Sequence, residues 1–249
     1  MRLIVTEDYE ELSAAAAGWI ADRIATRPDG CFIPATGDTP MGGYARLTEV
    51  LAVRDLDASR LRIVQLDEYL GLPAGDPRLL YGWMERSLLE PLAIPAAHVV
   101  AFDSAAYDPV ASCRTVDEAI VAAGGADFTV LGLGPNGHLG FNEPPADADA
   151  PTRVIELTPE SIHSNAVYWG GEDRVPRRAM TVGMNRLLAA RAILLLVSGE
   201  SKRSILHRTL SGPATPEVPS SYLQSADGVT IIADRAAWGD QPVPVAFGG

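Results

Sequence analysis

The chain has little cysteine, little positive charge and no long apolar run, and each shortage excludes a class of protein. Its two cysteines, Cys31 and Cys113, offer neither a metal-ligand spacing nor a disulfide framework. A reducing cytoplasm is therefore the expected home. Twenty Lys and Arg stand against 32 Asp and Glu, a net charge of −12, which argues against the basic face that non-specific nucleic-acid binding needs. An anionic small substrate stays open, because a few local donors outweigh a distant field. No apolar run approaches the roughly 18 residues of a membrane span. Glu7 and Asp8 follow Met1-Arg-Leu-Ile-Val5 at once, so the start reads as a strand, not as a signal peptide. There is no repeat, low-complexity linker or break in composition, and the expectation is one domain over residues 1–249.

What the chain does have is alternation. Short apolar runs predict strands at 2–5, 31–34, 61–66, 127–131, 192–197 and 229–233, with a short one at 98–102 and another at 153–157. Between them, helical spacing predicts helices at 9–25, 44–53, 79–92, 109–123, around 184–189 and from 203 to 210. Thr158-Pro-Glu-Ser161 has the form of a helix start, with proline at the first helical position. The following stretch has weak periodicity and a Gly170-Gly171 pair, so about 158–180 is expected to be a mobile flap over a site. Strands alternating with helices from end to end imply an α/β fold, a doubly wound, mostly parallel sheet with helices on both faces.

The richest stretch is Gly132-Leu-Gly-Pro-Asn-Gly-His-Leu-Gly-Phe-Asn-Glu-Pro144, directly after a predicted buried strand. Its glycines let backbone approach a ligand closely, and Asn136, His138, Asn142 and Glu143 lie among them. Open α/β sheets expose their chemistry at strand carboxyl ends in this way. Two other loops match it. Ala35-Thr-Gly-Asp-Thr-Pro40 joins a strand to a helix, the form of an anion site at a helix N-terminus, though it lacks the lysine of a P-loop. Asp67-Glu-Tyr-Leu-Gly71 puts paired acids after an apolar strand, either as a helix cap or as a general base on a site rim.

Together with Arg174-Val-Pro-Arg-Arg-Ala-Met-Thr-Val-Gly183 and Ser198-Gly-Glu-Ser-Lys202, these pieces resemble the glucosamine-6-phosphate deaminase family, relatives of the 6-phosphogluconolactonases. The segments keep the family's order, and the lactonase relatives typically lack Phe141-Asn-Glu-Pro144. The resemblance implies an enzyme without a metal or cofactor that opens the pyranose of an amino-sugar phosphate, moves a proton from carbon 2 to carbon 1, and releases ammonia. It gives Asp67 the carbon base, His138 the ring-opening shuttle, Glu143 the carboxylate that orients it, and Asn136 a place beside the histidine. It puts substrate contacts at Thr36, Gly37, Asp38, Thr39, Glu68, Gly137 and Lys202, with the phosphate on the Gly37–Thr39 amides helped by Lys202.

Three residues depart from that pattern, the first being Asn136, which stands where some members have an aspartate beside the histidine and others an asparagine. Asp38 puts a carboxylate in the anion loop, and Val167 falls where well-known members use a phosphate-gripping arginine. Arg153, Arg174 or His163 would then have to compensate. The leading reading is deamination of glucosamine 6-phosphate to fructose 6-phosphate. The runner-up is a same-fold enzyme on a modified sugar phosphate such as N-acetylglucosamine 6-phosphate, where abstraction at carbon 2 would expel the carbon-3 hydroxyl as water. A lactonase or a non-catalytic sugar-phosphate sensor is less favoured, and a homo-oligomer is left open.

Overall fold

The computed structural model describes residues 1–242; the last part of the proline- and glycine-rich tail, 243–249, lies outside them. The elements run β1 (Arg2–Thr6), α1 (Tyr9–Thr26), β2 (Cys31–Ile33), α2 (Asp38–Val53), β3 (Arg62–Val64), β4 (Asp67–Tyr69) and α3 (Leu80–Met84), which widens into a π-turn at Glu85–Leu89. Then follow β5 (Val99–Val100), α4 (Pro109–Ala122), β6 (Phe128–Gly132), β7 (Arg153–Glu156), α5 (Pro159–Trp169) and β8 (Arg178–Thr181). The chain continues with α6 (Met184–Leu188), β9 (Ile193–Val197), α7 (Arg203–Ser211), β10 (Val229–Asp234) and α8 (Arg235–Trp238).

Seven strands form one parallel sheet in the order β1-β10-β9-β6-β2-β3-β5. Its central strands are buried on both faces, and β9 shows why the apolar run is continuous. Leu194 and Leu196 pack with Leu12, Ile20 and Leu47 of α1 and α2. Ile193, Leu195 and Val197 pack on the other side with Val116, Ile120 and Leu206 of α4 and α7. The two-residue period of a strand thus feeds two cores at once. Phe32 and Phe128 stack across β2 and β6 with centroids 4.3 Å apart.

Local chemistry sets the helix ends. Asp8 caps α1 by accepting from Glu11 N at 2.9 Å. Asp108 caps α4 the same way through Ala111 N, with proline inside the start. α2 begins six residues earlier than helical spacing suggests, because Gly37 at φ 93° turns the chain straight from the β2 loop into it.

A second sheet was not legible in the sequence. β4 pairs antiparallel with β8, and β8 with β7, with Asp67 opposite Thr181. The predicted strand at 61–66 therefore ends at Val64, and the chain re-enters a sheet three residues later. Beneath this small sheet Tyr69, Phe141, Ile162, Trp169 and Ala179 make a third core. The expected strand at 98–102 shrinks to Val99–Val100, and His98 ends a 3₁₀ turn with Nδ1 3.2 Å from Ser59 O. The aperiodic flap stretch holds a full helix, α5, capped by Thr158 and closed by Gly170 in the left-handed region.

Candidate active site

The carboxyl ends of β2 and β6, together with β4, α5 and the segment before α7, enclose a cavity of about 410 Å³. Thr36, Gly37, Asp38 and Thr39 line it, as do Asp67, His138 and Lys202. Seven of the eleven expected site residues thus meet in one space, although they are spread over 167 positions (Thr36 to Lys202) of the chain.

Asp67 is 7% exposed. Burial, and next the neighbouring Glu68 charge, push its carboxyl up to about 8. A carboxylate with so high an affinity for protons is suited to take one from carbon. Glu68, 1% exposed, faces the other way. It accepts from Tyr69 N at 2.9 Å, Leu80 N at 3.0 Å, Tyr81 N at 2.9 Å and Gln65 Nε2 at 3.0 Å. Successive residues of a strand alternate sides, so the two acids are split between cavity and scaffold. Glu68, expected as a substrate contact, pins the start of α3 to β4 and is absent from the cavity wall.

His138 stands on the glycine loop after β6. Its Nδ1 is 3.3 Å from Glu143 Oε2 and 3.3 Å from Ser161 Oγ, which leaves Nε2 as the unclaimed ring nitrogen. A Cβ at Gly134 would meet that Nε2 at 2.2 Å, so the ring lies where a side chain would otherwise be. Burial pushes the Glu143 carboxyl up, but the bond and charge of His138 and the Asn136 amide outweigh it and hold it below the usual range. Asn136 Nδ2 donates to Glu143 Oε2 at 2.8 Å and to Thr158 Oγ1 at 3.1 Å, and Thr158 Oγ1 donates to the same Glu143 oxygen at 3.1 Å. Asn136 and Glu143 therefore stand behind the histidine and off the cavity wall. The N-cap of α5 is tied to the carboxylate that orients the ring.

Gly137 is also absent from the cavity wall. A Cβ there would meet Val218 at 2.8 Å and Ile205 at 3.2 Å, and its φ is +91°. It is a packing and turn position. Asn142 is likewise a clip: its amide donates to Leu139 O and Val182 O, and its oxygen accepts from Arg153 at 2.7 Å.

Asp38 does not occupy the amide cradle in which it sits. Its Oδ2 accepts from the Tyr168 hydroxyl at 2.6 Å, and Tyr168 packs edge-on against Trp83 at 5.1 Å. Lys202 Nζ donates to Leu133 O at 2.8 Å, and burial lowers its proton affinity. Of the expected compensating cations, Arg153 is bound to Asn142, His163 pairs with Glu172 on the surface, and Arg174 is off the cavity wall. Val167 is 76% exposed, while Ser164, Asn165, Tyr168 and Trp169 of α5 line the cavity. Trp83 belongs to the wall as well, and so do Tyr168, Trp169 and Arg78, which the motifs of the sequence did not single out.

A buried carboxyl of raised proton affinity and a histidine held by a carboxylate, set beside amides at a helix N-terminus, mark an α/β protein of the doubly wound class with its cavity at the sheet's carboxyl end. The chain belongs to the family of glucosamine-6-phosphate isomerases and 6-phosphogluconolactonases, which matches residues 7–232. It is 38% identical to a glucosamine-6-phosphate deaminase of Halothermothrix orenii over 95% of this chain and 98% of that one. A Geobacillus glucosamine-6-phosphate deaminase is 37% identical over 95% and 94%. Among solved structures, a monomeric glucosamine-6-phosphate deaminase superposes with a TM-score of 0.92 at 34% identity, covering 95% of this chain and 98% of the other. The 6-phosphogluconolactonase of Trypanosoma cruzi shares the fold, with a TM-score of 0.77 at 21% identity over 97% of both chains.

Proposed function

We propose that the protein is an amino-sugar phosphate isomerase-deaminase that turns glucosamine 6-phosphate and water into fructose 6-phosphate and ammonia. The observation that carries this reading is the pairing, in one cavity, of a buried Asp67 with His138 held through Nδ1 by Glu143. His138 Nε2 takes the proton of the carbon-1 hydroxyl and returns one to the ring oxygen, opening the pyranose. Asp67 removes the proton from carbon 2, beside the carbonyl so exposed, and delivers it to carbon 1. The double bond passes to carbon 2 and its nitrogen, and water then replaces the nitrogen as ammonia. The phosphate is held on the Gly37–Thr39 amides at the start of α2, with Lys202 beneath. α5 acts as the moving cover, with Gly170-Gly171 as its hinge.

The two buried free cysteines fit action in a reducing cytoplasm. The test is proton NMR in deuterated buffer beside an ammonia assay, with glucosamine 6-phosphate and N-acetylglucosamine 6-phosphate in parallel. Ammonia release with deuterium entering at carbon 1 is the expected result. No ammonia, with an ultraviolet-absorbing unsaturated product from the acetylated sugar, would overturn the reading in favour of dehydration.

A further inference from the structure

The charges on the cavity wall do not balance for the ligand proposed above. A phosphate monoester brings about −1.5 to −2 near neutral pH, and the Asp38 carboxylate lines the same space. Against them stands Lys202, half-buried and already hydrogen-bonded to Leu133 O. α5 supplies no guanidinium, because position 167 is a valine whose side chain is solvent-exposed.

One further cation lines the cavity among the described residues, and it comes from the loop before α3. Arg78 is clamped on two sides. Its Nε and Nη2 donate to Asp76 Oδ1 and Oδ2 at 2.9 and 2.7 Å, and its guanidinium carbon lies 4.6 Å from the centre of the Trp169 ring. The Asp76 side chain is 8% exposed and that of Arg78 45%, so the carboxylate is the buried anchor and the guanidinium the presented group. Two of the five guanidinium N–H groups are used on Asp76; among the described residues Nη1 has no acceptor. A fork fixed in advance loses little side-chain entropy when it meets an oxyanion, the feature that separates Arg from Lys in phosphate recognition.

We propose that Arg78, held between Asp76 and Trp169, is the second cation of the anion site and grips the substrate's phosphate together with Lys202. The proposal rests on the sugar-phosphate reading above and adds to it a residue outside the motifs that carry the family resemblance. Trp169 is the last residue of α5, so the same stacking contact joins the gripping arginine to the cover of the cavity.

The test separates this assignment from the reaction. Binding of inorganic phosphate to the full chain is measured by titration calorimetry, which needs no turnover, for the wild type, Arg78→Ala and Arg78→Lys. The expected result is a loss of about 10- to 100-fold in phosphate affinity for Arg78→Ala and a smaller loss for Arg78→Lys, which keeps charge but not the fork. With glucosamine 6-phosphate, KM should rise by a similar factor while kcat moves far less. The salt dependence of KM should flatten, which lost packing against Trp169 would not cause. If Arg78→Ala misfolds, the Arg78→Lys and Arg78→Gln chains decide by the same readouts. A wild type that binds no phosphate, or an Arg78 variant that binds it within about twofold of wild type, overturns the assignment. Failure of ammonia release with phosphate binding still dependent on Arg78 would sink the proposed reaction and leave the anion site standing.

Discussion

The Tyr168 hydroxyl donates a 2.6 Å hydrogen bond to Oδ2 of Asp38, joining α5 to the first turn of α2 where both line the cavity. The bond turns the Asp38 carboxylate onto a donor on the neighbouring helix and away from the Gly37–Thr39 amides proposed to hold phosphate. Tyr168→Phe removes that donor and leaves the carboxylate free to compete for the amides. KM for the phosphorylated substrate should rise about 3- to 10-fold. In an Asp38→Ser background the same change should do little, since the two residues act through one bond. An equal cost of Tyr168→Phe in both backgrounds would show that Asp38 is not what the tyrosine restrains.

Val167→Arg should leave KM within about twofold of wild type, as an exposed substitution away from the wall does. A large gain in affinity would mean that α5 turns when substrate binds and brings position 167 inward.

Asp67→Asn should lower kcat by about 100- to 10,000-fold with little change in KM, the signature of a group that acts in the transition state. Near-normal deuterium exchange at carbon 2 in this variant would remove Asp67 from the role of carbon base. The same residue makes a stability prediction. Its carboxyl is raised to about 8 in the fold but titrates near ~4 when unfolded. Between those values the folded state holds the extra proton, so stability contributed here is present below about pH 4 and lost as pH rises toward 8. Asp67→Asn should therefore melt at a higher temperature than wild type, by a margin that grows from pH 5 to pH 8.

The pH profile is linked to Glu68. A base raised to about 8 makes kcat/KM fall about tenfold per pH unit below that value. Glu68→Gln removes the like charge and should move this acid limb to lower pH. It should also destabilise the fold by about 3 kcal/mol, because a neutral amide cannot replace four accepted hydrogen bonds. A destabilised variant with an unmoved limb would refute the electrostatic coupling of the two acids.

His138 and Glu143 should behave as one unit in ring opening, so that His138→Ala, Glu143→Gln and the double variant lose similar activity. Thr158→Val removes a donor to Glu143 while leaving the catalytic groups in place. A milder loss of kcat is expected from it, and strictly additive losses in the double variant would count against the pairing.

The sequence by itself determined what depends on neighbours along the chain. The two-residue alternation of β9 sends side chains to two cores, and the capping residues Asp8, Asp108 and Thr158 are local hydrogen-bond chemistry. The glycine loop around His138 is a local run too, and its order relative to the other motifs carried the family resemblance. The tertiary structure decided what depends on partners far away. Asp67 and Glu68 are adjacent and chemically alike, and the pairing of β4 with β8, register Asp67 to Thr181, is what turns one into the cavity and the other into the scaffold. A register shift of one residue would exchange them, and no pattern within residues 61–72 fixes that register. The same holds on α5, where packing of Trp169 against Tyr69 brings Tyr168 to Asp38 and leaves Val167 in solvent. Arg78 was illegible for a related reason: it is placed in the cavity by Trp169, a ring 91 positions further along the chain, 169 against 78.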